Sequence, residues 1–129
     1  MKAKNFRIGN LLYNTEGKVD KVNMEALKYL LEYGDTKMCQ AKPIPLTKEW
    51  LDKFGFDDSE YKEGYTGVEF RTNLIMDFVL TKPNFMGEWQ NYYTYDLGQH
   101  RFVGVHYVHE LQNLFFAITT TELELKELV

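Results

Sequence analysis

His106, His109 and Glu110 stand three and four residues apart in a segment whose periodicity reads as helix. That spacing stacks side chains on one helical face, where two imidazoles and a carboxylate could share a metal ion. A histidine would ligate the ion, and Glu110 would serve as ligand or general base. His100 is close in sequence, yet neither an HExxH nor a paired CxxC pattern completes a ligand set. Histidine near a helix start is also common without metal, so the sequence implies no cofactor.

Gln112 and Asn113 follow on the same helix. A mid-helix amide that faces a covered surface must find hydrogen bonds. Strand edges of the same domain, a second copy of the chain, or the polar edge of a ligand would each supply them. Trp89, Tyr92, Tyr93 and Tyr95 form a second cluster, which could stack bases or a small aromatic ligand. The plainer reading, adopted here, is an aromatic sheet face packed on the helix. Cys39 has no histidine near it in sequence to activate it. Neither a Gly-rich phosphate loop nor a Gly-x-Ser-x-Gly elbow is present.

The helix that carries most of these groups is expected over residues 107–119, YVHELQNLFFAIT. At about 100° per residue, Tyr107, Val108, Leu111, Leu114, Phe115 and Ile118 share one broad apolar face. His106, His109, Glu110, Gln112 and Asn113 share the other, and Phe116 lands inside that polar arc. A phenylalanine there wants cover, so the helix should meet a second surface, either in its own domain or on a partner. His109, Gln112, Asn113 and Phe116, with Trp89 and Tyr93, are the candidate ligand- or partner-binding residues.

The elements that position these groups follow from turn and capping signals. Strands are expected at 6–13 and 18–22, joined by Asn14-Thr15-Glu16-Gly17. Asn23 caps a helix over 24–33, with Leu27, Leu30 and Leu31 as its apolar stripe and Gly34 as its stop. Residues 37–41 read as a strand that leads into Pro43 and Pro45, which exclude helix. In IPLTKEWLDKFGF, 44–56, Thr47 is the N-cap and Leu46 with Leu51 has the spacing of a hydrophobic staple. Gly55 ends that helix and Phe56 folds back on it. A loop over 57–65 precedes strands at 67–72, 74–81, 88–95 and 101–105, with breaks at 83–87 and 96–98. Both faces of 74–81 are largely apolar, which predicts a central strand. Residues 122–125 read as a short last strand. The expected class is α+β, with an antiparallel sheet packed against a long C-terminal helix and two shorter helices. All 129 residues fit a single domain, 1–129, whose residues 1–42 form a β-rich subregion.

Composition narrows the function classes. A net charge of −4 argues against a general nucleic-acid binder and is too small for an acidic nucleic-acid mimic. Arg71, Lys82 and Arg101 do not cluster enough to change that. One cysteine excludes an intramolecular disulfide. Residues 1–10 lack an apolar h-region, and no apolar run approaches membrane-spanning length, so a cytoplasmic setting is expected and a membrane role is not.

Three pieces of the chain are distinctive together: FRIGN at 6–10, IPLTKEWLDKFGF at 44–56, and YVHELQNLFFAIT at 107–119 followed by TELEL. They resemble a family of small proteins of Bacteroidetes phages, prophages and other mobile elements. In that family a β-rich N-terminal part precedes an IPLTEEWLLKFGF-like helix, and the chain ends in a helix similar to YVHQLQNLYFALTGEEL. The resemblance touches both ends and the middle, and the two helical motifs carry it. This chain departs from the pattern with a helix at 24–33 where strand is usual. It also has Thr120-Thr121 where a Gly-containing stop is usual. The family brings no activity with it. The resemblance implies a phage or mobile-element origin and the cytoplasm of a bacterial host. The expected function is a non-enzymatic accessory protein that binds a host or phage protein or sequesters a small-molecule ligand. A homo-oligomer through the C-terminal helix is one form its partner would take. Two alternatives stand beside it: a small metal-dependent enzyme using His106, His109 and Glu110, and a phage structural or assembly component.

Overall fold

Local turn chemistry starts the fold. The computed structural model describes residues 6–33, 41–58, 67–72, 78–85, 87–99 and 101–125. They divide between two compact units, Met1–Pro45 with Tyr107–Leu114, and Leu46–His106 with Phe115–Val129.

In the first unit, β1 (Leu11–Tyr13) pairs antiparallel with β2 (Val19–Lys21), setting Leu11 opposite Lys21 and Tyr13 opposite Val19. Between them the Asn14 side-chain oxygen accepts from the N–H groups of Glu16 (2.9 Å) and Lys18 (3.0 Å). This is the local bonding that makes asparagine a turn residue. The first strand is shorter than expected. Gly9 takes φ 95° and Asn10 N–H turns back to the Arg7 carbonyl, so the regular strand starts only at Leu11, although Gly9 N–H still donates to the Val22 carbonyl and Val22 N–H to the Asn10 carbonyl, each at 2.8 Å.

Asn23 caps α1 (Met24–Tyr33) as expected, its side-chain oxygen accepting from Ala26 N–H at 2.8 Å. Leu30 joins a core of Phe6, Leu12, Val22 and Ala41, with Leu27 packed against it. Leu31, expected in the same stripe, is exposed. It sits about 100° round the helix from Leu30, outside the single face that the hairpin covers. The Gly34 stop and residues 37–40 of an expected strand lie outside the described residues. Lys42 continues the pairing by exchanging two hydrogen bonds with Tyr13, each 2.9 Å.

The second unit opens on α2 (Lys48–Phe54), which forms as its sequence dictates. Thr47 Oγ1 accepts from Trp50 N–H. Gly55 closes the helix at φ 92° and Phe56 N–H reaches back to the Leu51 carbonyl at 2.9 Å. A left-handed C-terminal residue of this kind satisfies the orphan carbonyls. Leu46, Leu51, Phe54 and Phe56 are buried.

Six antiparallel strands follow: β3 (Asp57–Asp58), β4 (Gly67–Thr72), β5 (Phe78–Phe85), β6 (Glu88–Trp89), β7 (Tyr93–Gly98) and β8 (Arg101–Val105). Their order is β3-β4-β5-β7-β8, with β6 paired to β5, so β5 is central as expected. Five expectations are corrected. Asp57 and Asp58 pair with β4 instead of opening a loop. Pro83 does not end β5, because its φ suits a strand and its carbonyl accepts from Gln90 N–H at 2.9 Å. Residues 88–95 are not one strand: β6 stops after Trp89 and β7 starts at Tyr93. The β7–β8 turn comes later than 96–98, passing through Gln99 at φ 53°, after a register shift between Asp96 and Gly98. Residues 122–125 form no strand, although Leu123 is buried. Residues 59–65 and 74–77 lie outside the described residues.

Register fixes the two faces of this sheet. Phe70, Thr72, Phe78, Leu80, Tyr93 and Val105 are buried on one. Glu69, Arg71, Asp96, Phe102 and Gly104 stand exposed on the other. Phe78 is the hub of the buried face. Its ring stacks on Tyr95 at 4.6 Å and meets Phe56 at 6.1 Å and Phe115 at 5.1 Å edge-on. The sheet thus meets the last helix, α3 (Val108–Thr119), through Phe78 and Phe115, while of the expected aromatic face Tyr93 and Tyr95 lie on this inner side and Trp89 is exposed. That helix is only twelve residues long. Thr120 closes it at φ 59°, a strained position for a β-branched residue, where the usual stop would be glycine. The architecture is α+β with antiparallel sheets, and no helix among the described residues is long and apolar enough to cross a membrane.

Candidate functional site

Within the first unit the FRIGN segment lies against the first turns of α3, and half of the candidate residues are there. Glu110 comes first, because it fixes where the helix starts. Its carboxylate accepts from Tyr107 N–H at 3.0 Å, the reciprocal half of a capping box. Tyr107 therefore caps the helix and does not belong to its first turn.

One and two turns further on, the polar arc is occupied by the chain itself. Gln112 is only 3% exposed. Its side-chain oxygen accepts from Leu11 N–H at 2.8 Å, and its amide nitrogen donates to the Gly9 carbonyl at 3.4 Å. Asn113 Oδ1 accepts from the buried Asn10 Nδ2 at 2.8 Å. Arg7 donates from its guanidinium to the Gln112 carbonyl at 3.2 Å, while Arg7 N–H donates to Asn10 Oδ1 at 2.7 Å. Gln112 satisfies the Leu11 N–H and the Gly9 carbonyl, while Gly9 N–H and the Asn10 carbonyl bond Val22, and this bonding is why two mid-helix amides are tolerated here. Of the three uses weighed for these amides, the bonding is with the chain's own backbone and side chains.

His109 is 4% exposed and lies flat on Phe6, with ring centroids 4.0 Å apart and planes 18° from parallel. The Tyr107 ring is parallel to it at 5.8 Å. His109 Nδ1 is buried and has no hydrogen-bond partner among the described residues. Burial holds the imidazole below its ordinary 6.5, partly opposed by the charge of Glu110. The ring is therefore neutral near pH 7 and packs as an aromatic group.

The linkage has a definite sign. An unfolded chain protonates His109 near its ordinary value while the folded chain resists, so stability is full above 6.5 and falls as pH drops into the window beneath it. The slope reaches at most about 1.4 kcal/mol per pH unit and levels off below the folded value. His109→Phe, which keeps the stack, should remove that component. Urea midpoints of both proteins between roughly pH 7.5 and 5.5 check this. A wild-type-minus-variant difference that stays flat would refute it.

The other candidates lie in the second unit. His106 is exposed and its ring stacks on Tyr92 at 5.2 Å. Phe116 is 40% exposed. Tyr93 is buried on the inner sheet face, edge-on to Phe70 at 5.4 Å and with Lys82 Nζ over its ring at 5.8 Å. Burial, then the charges of Glu49 and Asp52, push its phenol up to about 12, so it offers neither a base nor a nucleophile near neutrality. Trp89 is exposed on β6, and the break before β7 separates it from the buried run that holds Tyr93. Among the described residues no three His, Cys, Asp or Glu side chains are grouped to hold a metal ion. Phe6, Arg7 and Asn10 complete the buried cluster and were not legible as its members. The one available signal was that FRIGN and YVHELQN are both distinctive.

Against models of known families, characterised proteins and solved structures, the chain gives no significant match.

Proposed function

We propose that this chain is a non-enzymatic accessory protein of a phage or mobile element, acting in a bacterial host cytoplasm by binding another protein. The observation that carries this reading is the β7–β8 hairpin, which exposes Leu97 (51%) and Phe102 (61%) to solvent. Aromatic side chains left in water at a sheet margin favour a protein partner. The groups with chemical capacity support the same reading from the other side. Glu110, Gln112 and Asn113 hold the fold through the bonds above, and His109 is stacked on Phe6. The Phe6–Leu11 segment covers the polar arc of α3 in its own unit, and Phe116, at 40%, is less exposed than Phe102, so the contact surface proposed is the hairpin.

A second reading, ligand sequestration, has one feature in its favour. An open cleft of about 140 Å³ in the first unit is lined by Leu12, Ala26, Tyr29, Leu30 and Ala41, with Lys21 among its polar members. Drug-sized ligands occupy about 300–1,000 Å³, so only a small apolar molecule would fit. Native mass spectrometry of untagged protein from a bacterial cytosol separates the readings. A complex with protein, dissociated by Leu97→Lys with Phe102→Lys, is the expected result. An added small-molecule mass would favour the cleft. A one-to-one metal would restore the enzyme alternative, and a bare monomer would overturn the proposal.

A further inference from the structure

The two margins of the six-stranded sheet are built differently. β3 is two residues long and consists of Asp57 and Asp58. Short length and charge both discourage another strand from adding there. β8 is five residues, Arg-Phe-Val-Gly-Val, without lysine or proline, and among the described residues no strand pairs with its outer side. An open edge of that kind is a template for strand addition.

The sequence of β8 is self-complementary. When two copies pair antiparallel about a twofold axis, only the register centred on Val103 engages all five residues. That register sets Arg101 across from Val105 and Phe102 across from Gly104. Phe102 and Gly104 share the outer sheet face, because their partners on β7 are Asp96 and Thr94. Phe102 projects there at 61% exposure, and Gly104 leaves a hollow without a side chain. The His106 ring of the same copy leans over that position, its Cε1 3.3 Å from where a Cβ on Gly104 would stand, so the second copy's Phe102 would pack against imidazole and glycine together. Each phenylalanine would thus cover the other copy's glycine, and the pair occurs twice, once on each side of the axis. A large aromatic opposite a strand glycine is a favourable cross-strand pair, and an isologous interface needs this kind of self-match.

We infer that the partner at this surface is a second copy of the chain, joined through β8 to make one continuous sheet. This rests on the reading of the β7–β8 hairpin as the interaction surface and names its occupant. A five-residue strand pair with Phe102 belongs to the small class of interfaces, below about 1,200 Å² in total. The expected association is therefore reversible and micromolar.

The test is sedimentation of the purified full chain from about 1 to 500 µM, with Phe102→Lys and, in a Cys39→Ser background, Val103→Cys. Wild type should shift from monomer to dimer across that range. Phe102→Lys should weaken association at least about tenfold with its thermal midpoint unchanged, because Phe102 is exposed. Val103→Cys should form a disulfide-linked dimer on mild oxidation well ahead of Lys18→Cys in the same background. A dimer indifferent to Phe102→Lys, or equal cross-linking at 103 and 18, overturns the inference. So does a wild-type monomer at every concentration. In that case a heterologous complex in native mass spectra, lost on Leu97→Lys with Phe102→Lys, would leave the protein-binding reading standing.

Discussion

Phe78→Ala should remove about 3–5 kcal/mol from the second unit. The ring is fully buried and touches Phe56, Tyr95 and Phe115, so one truncation opens a space against three aromatic neighbours at once. These neighbours lie on different elements and cannot collapse together into the gap, which puts the loss toward the upper end of the usual range. Both tryptophans, Trp50 on α2 and Trp89 on β6, belong to this unit. Their fluorescence in a urea titration reads the effect directly. Phe78→Leu should recover part of the loss, since it keeps most of the volume. A shift below about 1 kcal/mol for the alanine variant would mean that the sheet does not depend on this ring.

Gln112→Leu should act on the first unit and cost about 1–3 kcal/mol. Leucine has similar bulk, so packing is largely kept. What is lost is the acceptor for Leu11 N–H and the donor to the Gly9 carbonyl. Leu11 is buried, and an amide stranded without water carries the whole desolvation penalty. The variant that removes a bond at the margin, Arg7→Ala, should cost less, because the Gln112 carbonyl keeps its place within the helix. Amide exchange gives the sharpest readout: Leu11 should lose protection in Gln112→Leu while Leu51, in α2, keeps its own. Retained protection at Leu11 would show that the side-chain bond is dispensable.

Local signals made parts of this fold legible in the sequence. The turn at Asn14, the Asn23 cap and the whole of α2 are written within four or five consecutive residues, and each forms as read. The errors fall where a distant partner decides. Periodicity placed His109 and Gln112 on a polar arc correctly but left open what faced it. The answer, Phe6 with Gly9 and Leu11, lies about a hundred positions earlier. Leu31 satisfies an apolar spacing yet stays in water, since the hairpin covers one face of α1 only. Pro83 reads as a breaker, but a strand that needs only its carbonyl at that point tolerates it. The aromatic run from Trp89 to Tyr95 looked continuous because alternation does not report a two-residue strand followed by a break.

The wiring of the first unit bears on how the protein is made. Its hydrogen bonds from Arg7, Asn10 and Leu11 to α3 span 105, 103 and 101 positions. On a ribosome, the N-terminal hairpin and α1 emerge long before the residues that complete them. At about 5–20 residues per second, Phe6 and Leu11 wait several seconds for His109 and Gln112. The intervening chain, α2 and the sheet strands, has its own mostly local pairings and can begin to order in that interval. The nascent chain thus holds this apolar N-terminal segment open until α3 has been made. A chaperone that recognises short apolar stretches would find its target there, and a stop codon anywhere before Gln112 would leave that segment without its seat.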